Sequence, residues 1–585
     1  MAKTHFEIEY RLYDLTADSD SHYTVTGEDQ SLSSVSLLAA ERDAEEYMTF
    51  EQNFSILDGS KGHMPGDAVY PFFSDSMAGG SGEFSPALTI TDTFTENHSS
   101  SGVLVHFLDF FPYEIQVSWY DRDGVLIDAK TYHPDRLDYF CRNTVLNFRK
   151  VVLTITKANP FSYAKVNRIE YGQTYVWGET EVKEAKSSES VSMLSDNLAT
   201  NKLTMKFVDV ANEFNIGNQQ GLHNLLQKGQ TAKAYEYQDG VRQFRGKWFF
   251  KKYASEKNLT TLTLEDYLGI MDTYDYSGGG ILAGVLAGPL IESLLARCGI
   301  TEYEIDAETY STPLYGCLKL MTCRKALREI LFAADSIVLT TETDVLTIKK
   351  RDRLAPIVIP RSQKFSTRMQ VNDYVSDVTV KYTEYEADAE ASQISQAEYD
   401  AGSYTVLFND PVVAASITVT ATAGQATVTE REQLQVAFTL SEPAAVTISA
   451  RKYQSTNVAV TASVEAVEGG MVRSTKSLTG TLMDQRLARA KAEAALDYYQ
   501  LRHSLRVSCL AGEHRCGSWV EVENPDSSHG NFLAGVEKVD TNLTGGFLES
   551  CTMLGYYKLT TVHNYTGVTD GSGTVPDLYA GDELL

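Results

Sequence analysis

The sequence has little proline, little positive charge and no long apolar run. Its 14 prolines and 40 glycines make up under a tenth of 585 residues, far below the roughly 25–30% of low-complexity chains. A collagen-like or disordered chain is excluded. The most apolar stretch, 281–295, holds Pro289 and Glu292 and falls short of the roughly 20 residues a spanning helix needs. It reads as a soluble core segment, and no membrane span is expected. The first ten residues lack a basic region followed by an apolar one, so no secretory signal is expected and synthesis in a cytoplasm follows. Only 51 Lys and Arg face 78 Asp and Glu, a net charge of −27. Such a surface repels phosphates over most of its area, which argues against wrapping nucleic acid. The seven cysteines, Cys141, Cys298, Cys317, Cys323, Cys509, Cys516 and Cys551, are an odd number in a large chain and point to reduced thiols rather than a disulfide framework.

Catalytic signatures are missing too. There is no G-x-S-x-G, no H-E-x-x-H and no Walker A, and Gly278-Gly279-Gly280 lacks the Lys-Ser/Thr that holds phosphate and magnesium. Cys509 and Cys516 flank His514, but the group lacks a second ligand pair. Buried small side chains are the better reading, and neither metal nor cofactor is expected. Glu386 and Asp388 are the kind of pair that serves glycoside hydrolysis, yet they sit in an acidic run that reads as solvated. Asp121 and Asp123 carry oxygens of the type calcium takes, but Asp123-Gly124 reads more simply as a hairpin turn. No enzyme is expected.

What the chain does have is strand patterning and aromatic residues, with 33 Tyr and 24 Phe. Tyr113, Tyr120, Tyr132 and Tyr139 are candidates for a surface that stacks on sugar rings or meets a partner protein, set against the plainer fact that Tyr suits strands. At the amino terminus Phe6, Ile8, Tyr10 and Leu12 alternate with Glu7, Glu9 and Arg11, the period-two mark of a half-buried strand. A Gly-, Ser-, Asp- and Pro-rich stretch at 55–85 reads as a surface loop, giving a first segment of 1–85. Seven short strands at 88–91, 102–107, 114–120, 125–129, 145–148, 151–156 and 166–171 predict a β-sandwich over 86–178. The charged, Ser-rich run at 179–190 opens a linker to 197.

From 198 to 384 strands mix with helices. Pro289, an apolar face of Ile291, Leu294, Leu295 and Cys298, and Gly299 define one helix. Thr322 caps a second, with Cys323, Ala326, Leu327, Ile330, Leu331 and Ala334 at helical period, and a hairpin at 337–348 follows. This is α+β. The acidic segment 385–399 is expected to cross the surface, and Val- and Thr-rich strands between 404 and 464 form a small all-β insertion within 385–479. A helix over 484–501 follows, with Leu487, Ala490, Ala494, Tyr498 and Leu501 on one face. Strands return to 560, and 561–585 reads as an extended tail. The fold class is mostly β and multidomain.

Two resemblances rest on these residues. Ser99-Ser100-Ser101-Gly102 with the strand to Phe107, Trp119-Tyr120 with Asp123-Gly124, the stretch from Val145 to Lys150 and that from Ala164 to Gly172 resemble the galactose-binding-like, discoidin-type jelly-roll sandwich. That resemblance implies glycan binding on loops at one end. Leu203 to Phe207, Leu226 to Gln230, Gly246 to Phe250, Leu264 to Leu268, the Arg324 to Ile330 helix, the helix to Tyr499 and Val536 to Phe547 are similar, in that order, to the central hub proteins of bacteriophage tails and contractile injection systems. This implies paired barrel-like β domains split between 198–384 and 480–560. It further implies a homotrimeric ring at a virion's tail tip or baseplate, with a distal tail protein, a tape measure protein and receptor-binding or baseplate proteins as partners. DNA would pass through without specific binding. The chain shows no peptidase or muramidase domain, so no lytic activity is carried over. The competing reading is a carbohydrate-active or cell-wall-binding protein that uses the sandwich to find a host cell-surface glycan.

Overall fold

The computed structural model describes residues 4–25, 33–39, 71–108, 110–276, 280–351, 355–464, 474–525 and 530–559. The tail at 561–585, the first part of the 55–85 loop and Gly278-Gly279 lie outside the described residues. The molecule is mostly β, built of several sheets.

Strand β1 (Thr4–Tyr13) is followed by a sandwich made of β2 (Leu88–Phe107), β3 (Glu114–Tyr120), β4 (Leu126–Tyr132), β5 (Asp138–Lys157) and β6 (Lys165–Trp177). The first half of β2 pairs with the second half of β5, which continues to β3 and β4; the second halves of β2 and β6's start pair with each other. Two pairs of expected short strands are therefore two long, bent strands that pass from one sheet to the other. The polar residues at 95–99 break the alternation without ending the strand, because His98 is buried against Asp14 and Asp20, its Nδ1 3.1 Å from Asp14 Oδ2 and its Nε2 2.9 Å from Asp20 Oδ2. Trp119, Phe148 and Tyr171 fill the core. Residues 71–85 are not a free loop: Phe72 and Phe73 pair with the start of β6 and are buried, as are Ala78 and Phe84.

The end of β6 leaves the sandwich and pairs with β1, Tyr13 opposite Gly172. Gly172 has φ +141°, and a Cβ there would lie 2.1 Å from the Leu12 carbonyl oxygen. Only glycine permits that approach. With β7 (Val182–Ser190), β8 (Lys202–Val208), β9 (Thr231–Gln238), β10 (Val241–Glu256) and β11 (Leu259–Glu265), β1 forms the sheet β1–β9–β10–β11–β8–β7. All six strands send alternate side chains into one core, among them Ile8, Val182, Met205, Ala232, Trp248 and Leu262. One core shared by all six strands is the arrangement of a sheet curled into a barrel-like shape. The linker expected at 179–197 is thus strand over Val182–Ser190. Its serines and charges misled because Ser187 and Glu189 point inward, to polar partners.

Helices α1 (Ala287–Arg297) and α2 (Cys323–Ala334) form as their caps predict: Gly299 has φ +68° just past α1, and Thr322 Oγ1 accepts the Lys325 N–H. Next come β12 (Ile357–Ile359), β13 (Lys364–Val371) and a ribbon of β14 (Val375–Ala387), β15 (Tyr453–Ser463) and β16 (Ser474–Thr479). Between β14 and β15, six strands from Ser392–Tyr399 to Ala444–Ala450 make two three-stranded sheets around Val436, Phe438 and Ile448. The acidic stretch at 385–399 is therefore largely strand, and residues 457–463 belong to the ribbon rather than to the insertion. Helix α3 (Gln485–Tyr499) packs on the ribbon and on α2. Its buried face is Leu487, Ala488, Lys491, Ala492, Ala495 and Tyr498, while Ala490 is exposed. The expected face was displaced because Lys491 turns inward.

The chain closes with β17 (His503–Leu510), β18 (Trp519–Val522), β19 (Gly530–Asn542) and β20 (Leu548–Leu559). The order β13–β17–β20–β19–β18–β12 wraps a second core of Val507, Val520, Phe532, Val536 and Met553. Strand β19 serves both barrels: residues 532–535 pair with β18, and residues 538–542 pair with β7 along the same edge.

Candidate functional site

The four candidate tyrosines do not form one surface. Tyr132 and Tyr139 meet edge to face with ring centroids 6.5 Å apart, and Tyr132 lies opposite Ile115, near the exposed Tyr113 at the start of β3. Tyr120 is at the other end of β3, about 17 Å away along the strand, under the Lys150 ammonium at 4.8 Å. Asp121 Oδ1 accepts the N–H groups of Asp123 and Val125 at 2.9 and 2.8 Å, the bonds of an Asx turn. Glu386 and Asp388 sit at the exposed end of the ribbon, where Asp388 Oδ2 accepts from Gln454 Nε2 at 3.1 Å.

The densest chemistry lies where the barrels meet. Strand alternation puts Glu549 and Cys551 on one face of β20, and Cys509 of β17 lies directly opposite Glu549. The loop after β17 carries His514 and Arg515 into the same place, while β9, β10 and β7 bring Glu236, Arg245 and Glu189 from the first barrel. All are buried. His514 Nε2 lies 2.8 Å from Glu549 Oε2 and 3.5 Å from Cys509 Sγ, and Cys509 Sγ is 3.9 Å from Cys551 Sγ. Arg245 Nε donates to Glu236 Oε2 at 2.6 Å and Nη1 to the Gly512 carbonyl at 3.1 Å; Arg515 Nη2 donates to the Phe244 carbonyl at 2.9 Å. The arginines thus cross the seam in both directions.

Three basic and three acidic side chains balance formally, which is what allows charge to be buried here. Burial works against the Glu549 carboxylate, but the close approach and charge of His514, then Arg245 and Arg515, outweigh it and hold its pKa down. His514 is raised: burial opposes its charge, and Cys509 and Glu549 overcome that. Glu236 and Glu189 are raised by burial, each opposed by arginine. The sequence reading singled out Cys509 and His514, which do come together. Cys516 does not join them: its Sγ faces the Glu537 carbonyl at 3.8 Å. Glu549 and Cys551 were missed: their i, i+2 spacing puts them on one face of a strand, but only the pairing of β17 with β20 brings that face to Cys509.

Among the described residues no helix is long and apolar enough to cross a membrane. No family model and no curated protein matches the chain. Solved structures to which it is similar include a tail protein from Neisseria meningitidis MC58, at 10% identity over 65% of this chain and 93% of that one, with a TM-score of 0.39. A 43 kDa tail protein of prophage MuSo2 from Shewanella oneidensis is similar at 7% identity over 65% and 95%, TM-score 0.37. A prophage tail protein from Listeria monocytogenes EGD-e is similar at 9% identity over 65% and 91%, TM-score 0.35.

Proposed function

We propose that this chain is a structural virion protein, the hub at the tip or baseplate of a phage-type tail, and that it works by assembly rather than by catalysis. The observation that carries the reading is the pair of barrel-like sheets joined by one strand, β19, which pairs with β18 of one and β7 of the other, with helices packed alongside. This is the arrangement implied by the ordered resemblance to hub proteins. A closed ring needs two different, mutually complementary patches on each copy. We assign the ring contacts to exposed apolar side chains that each barrel carries: Val358, Phe365 and Val371 on β12 and β13 of the second, Val210 and Ile216 just beyond β8 in the first.

The ring is a homotrimer that closes a tail tube and docks a distal tail protein, a tape measure protein and receptor-binding or baseplate proteins. It is made in the host bacterial cytoplasm and ends in the virion. The excess negative charge favours a lumen that DNA passes without being held. Immunogold labelling of particles from the producing cells tests this reading: label confined to one end of the tails supports it, and antigen absent from purified particles refutes it.

A second reading gives the sandwich a part in host-surface attachment. Tyr113, Tyr132 and Tyr139 gathered at one end of β3 and β4 favour it, since sugar rings stack on such side chains. A glycan array probed with the full chain separates recognition from scaffolding.

A further inference from the structure

The seam between the barrels holds a group of side chains whose geometry matches a metal centre. Cys509 Sγ, His514 Nε2, Glu549 and Cys551 Sγ offer four ligand atoms, all within 4.8 Å of one another and all on buried residues. Tetrahedral zinc with Zn–S near 2.3 Å and Zn–N near 2.0 Å places its two sulfurs about 3.8 Å apart and a sulfur and nitrogen about 3.5 Å apart. The observed separations are 3.9 Å and 3.5 Å. The nitrogen–oxygen edge is tighter, at 2.8 Å, and needs to open by about half an ångström, while edges as long as 4.8 Å within the group close by up to about one ångström on binding.

The carboxylate is poised to ligate through one oxygen. Glu549 Oε1 accepts from Thr541 Oγ1 at 3.2 Å and faces Arg245 Nη1 at 3.6 Å and Arg515 Nη1 at 4.0 Å. Oε2 is buried and takes part in no hydrogen bond, although His514 Nε2 is 2.8 Å away. The ring nitrogen and that oxygen converge without hydrogen-bond alignment, as two ligands of one cation do. The two arginines stand beside that carboxylate, an outer layer of the kind that tunes metal sites.

We propose that Cys509, His514, Glu549 and Cys551 bind one zinc ion as a closed, structural site that fastens the loop carrying His514 and Arg515 to β17 and β20, where that loop meets the first barrel. Binding displaces the His514 Nε2 proton and the two thiol protons to solvent and leaves no open position for substrate. Zinc is favoured over calcium or magnesium because two of the four ligands are sulfur.

Metal analysis of the full chain, purified reduced, without chelator or affinity histidines, tests this. The expected result is one zinc per chain, retained in Cys516→Ser and lost in Cys509→Ser and Cys551→Ser. Cobalt loaded in place of zinc should give intense thiolate charge-transfer absorption and tetrahedral ligand-field bands. Wild-type chain that takes up neither ion, six-coordinate cobalt without thiolate bands, zinc retained by the Cys509→Ser, Cys551→Ser double variant, or a Cys509–Cys551 disulfide in the freshly purified protein would each overturn the proposal. The wild-type readings decide even where a variant does not fold.

Discussion

Lys491 Nζ lies 2.7 Å from Asp335 Oδ1 and 2.7 Å from the Leu194 carbonyl oxygen, with the Phe332 ring beneath it at 4.7 Å. This contact ties the inner face of α3 to the left-handed residue that ends α2. Lys491 is 1% exposed, so its charge is tolerable only because Asp335 meets it.

Lys491→Ala removes the cation and opens a cavity, and is expected to cost about 3–5 kcal/mol in urea unfolding, the usual penalty for breaking a buried pair. Lys491→Met keeps most of the volume and leaves Asp335 its second partner, Arg351, so it should cost clearly less. Equal losses would mean that volume is irrelevant here.

The His98 contacts with Asp14 and Asp20 predict a pH window. His98 has its pKa raised: burial opposes the charge, and Asp14 and Asp20 outweigh it. Its contribution is complete below its ordinary value of 6.5 and is lost as pH rises through the folded value. Asp14 is lowered to about 2 because hydrogen bonds from His98 and Thr16 overcome burial, and contributes fully above 3.8, fading as pH falls towards 2. The difference in Tm between wild type and His98→Asn should therefore be largest between about pH 4 and 6.5. A difference that does not change with pH would contradict this.

Gly172→Ala forces a Cβ against the Leu12 carbonyl at a φ that L-residues avoid. The expected loss is above about 1 kcal/mol, with faster hydrogen exchange concentrated in β1 and the end of β6. Unchanged protection of residues 4–13 would show that the approach is not tight.

Much of this architecture was legible in the sequence. Period-two apolar residues marked β1, Thr322 and Gly299 marked helix ends, and the mostly β class followed. Misreadings came where polar side chains are buried against distant partners. Glu189, Lys491 and His98 each look solvent-facing in sequence, and each is paired with a residue far along the chain: His98 with Asp14, 84 positions away, Glu189 with Thr341, 152 away, and Lys491 with Asp335, 156 away. Spacing along one segment could not reveal that. The same applies to the seam, where Cys509 and His514 are neighbours but Glu549 and Cys551 arrive through strand pairing.

If the exposed side chains of β13 form a ring contact, Phe365→Glu should leave unfolding unchanged within about 0.5 kcal/mol, as surface changes do, while weakening self-association at least tenfold. Phe365 is 62% exposed, so loss of folding would instead assign it an internal role.

The most direct measurement of the hub assignment is the native mass of the purified full chain across a concentration series. The account predicts a closed assembly of three chains, alone or once a tail partner is added. A chain that stays monomeric at high concentration with and without such partners would contradict it.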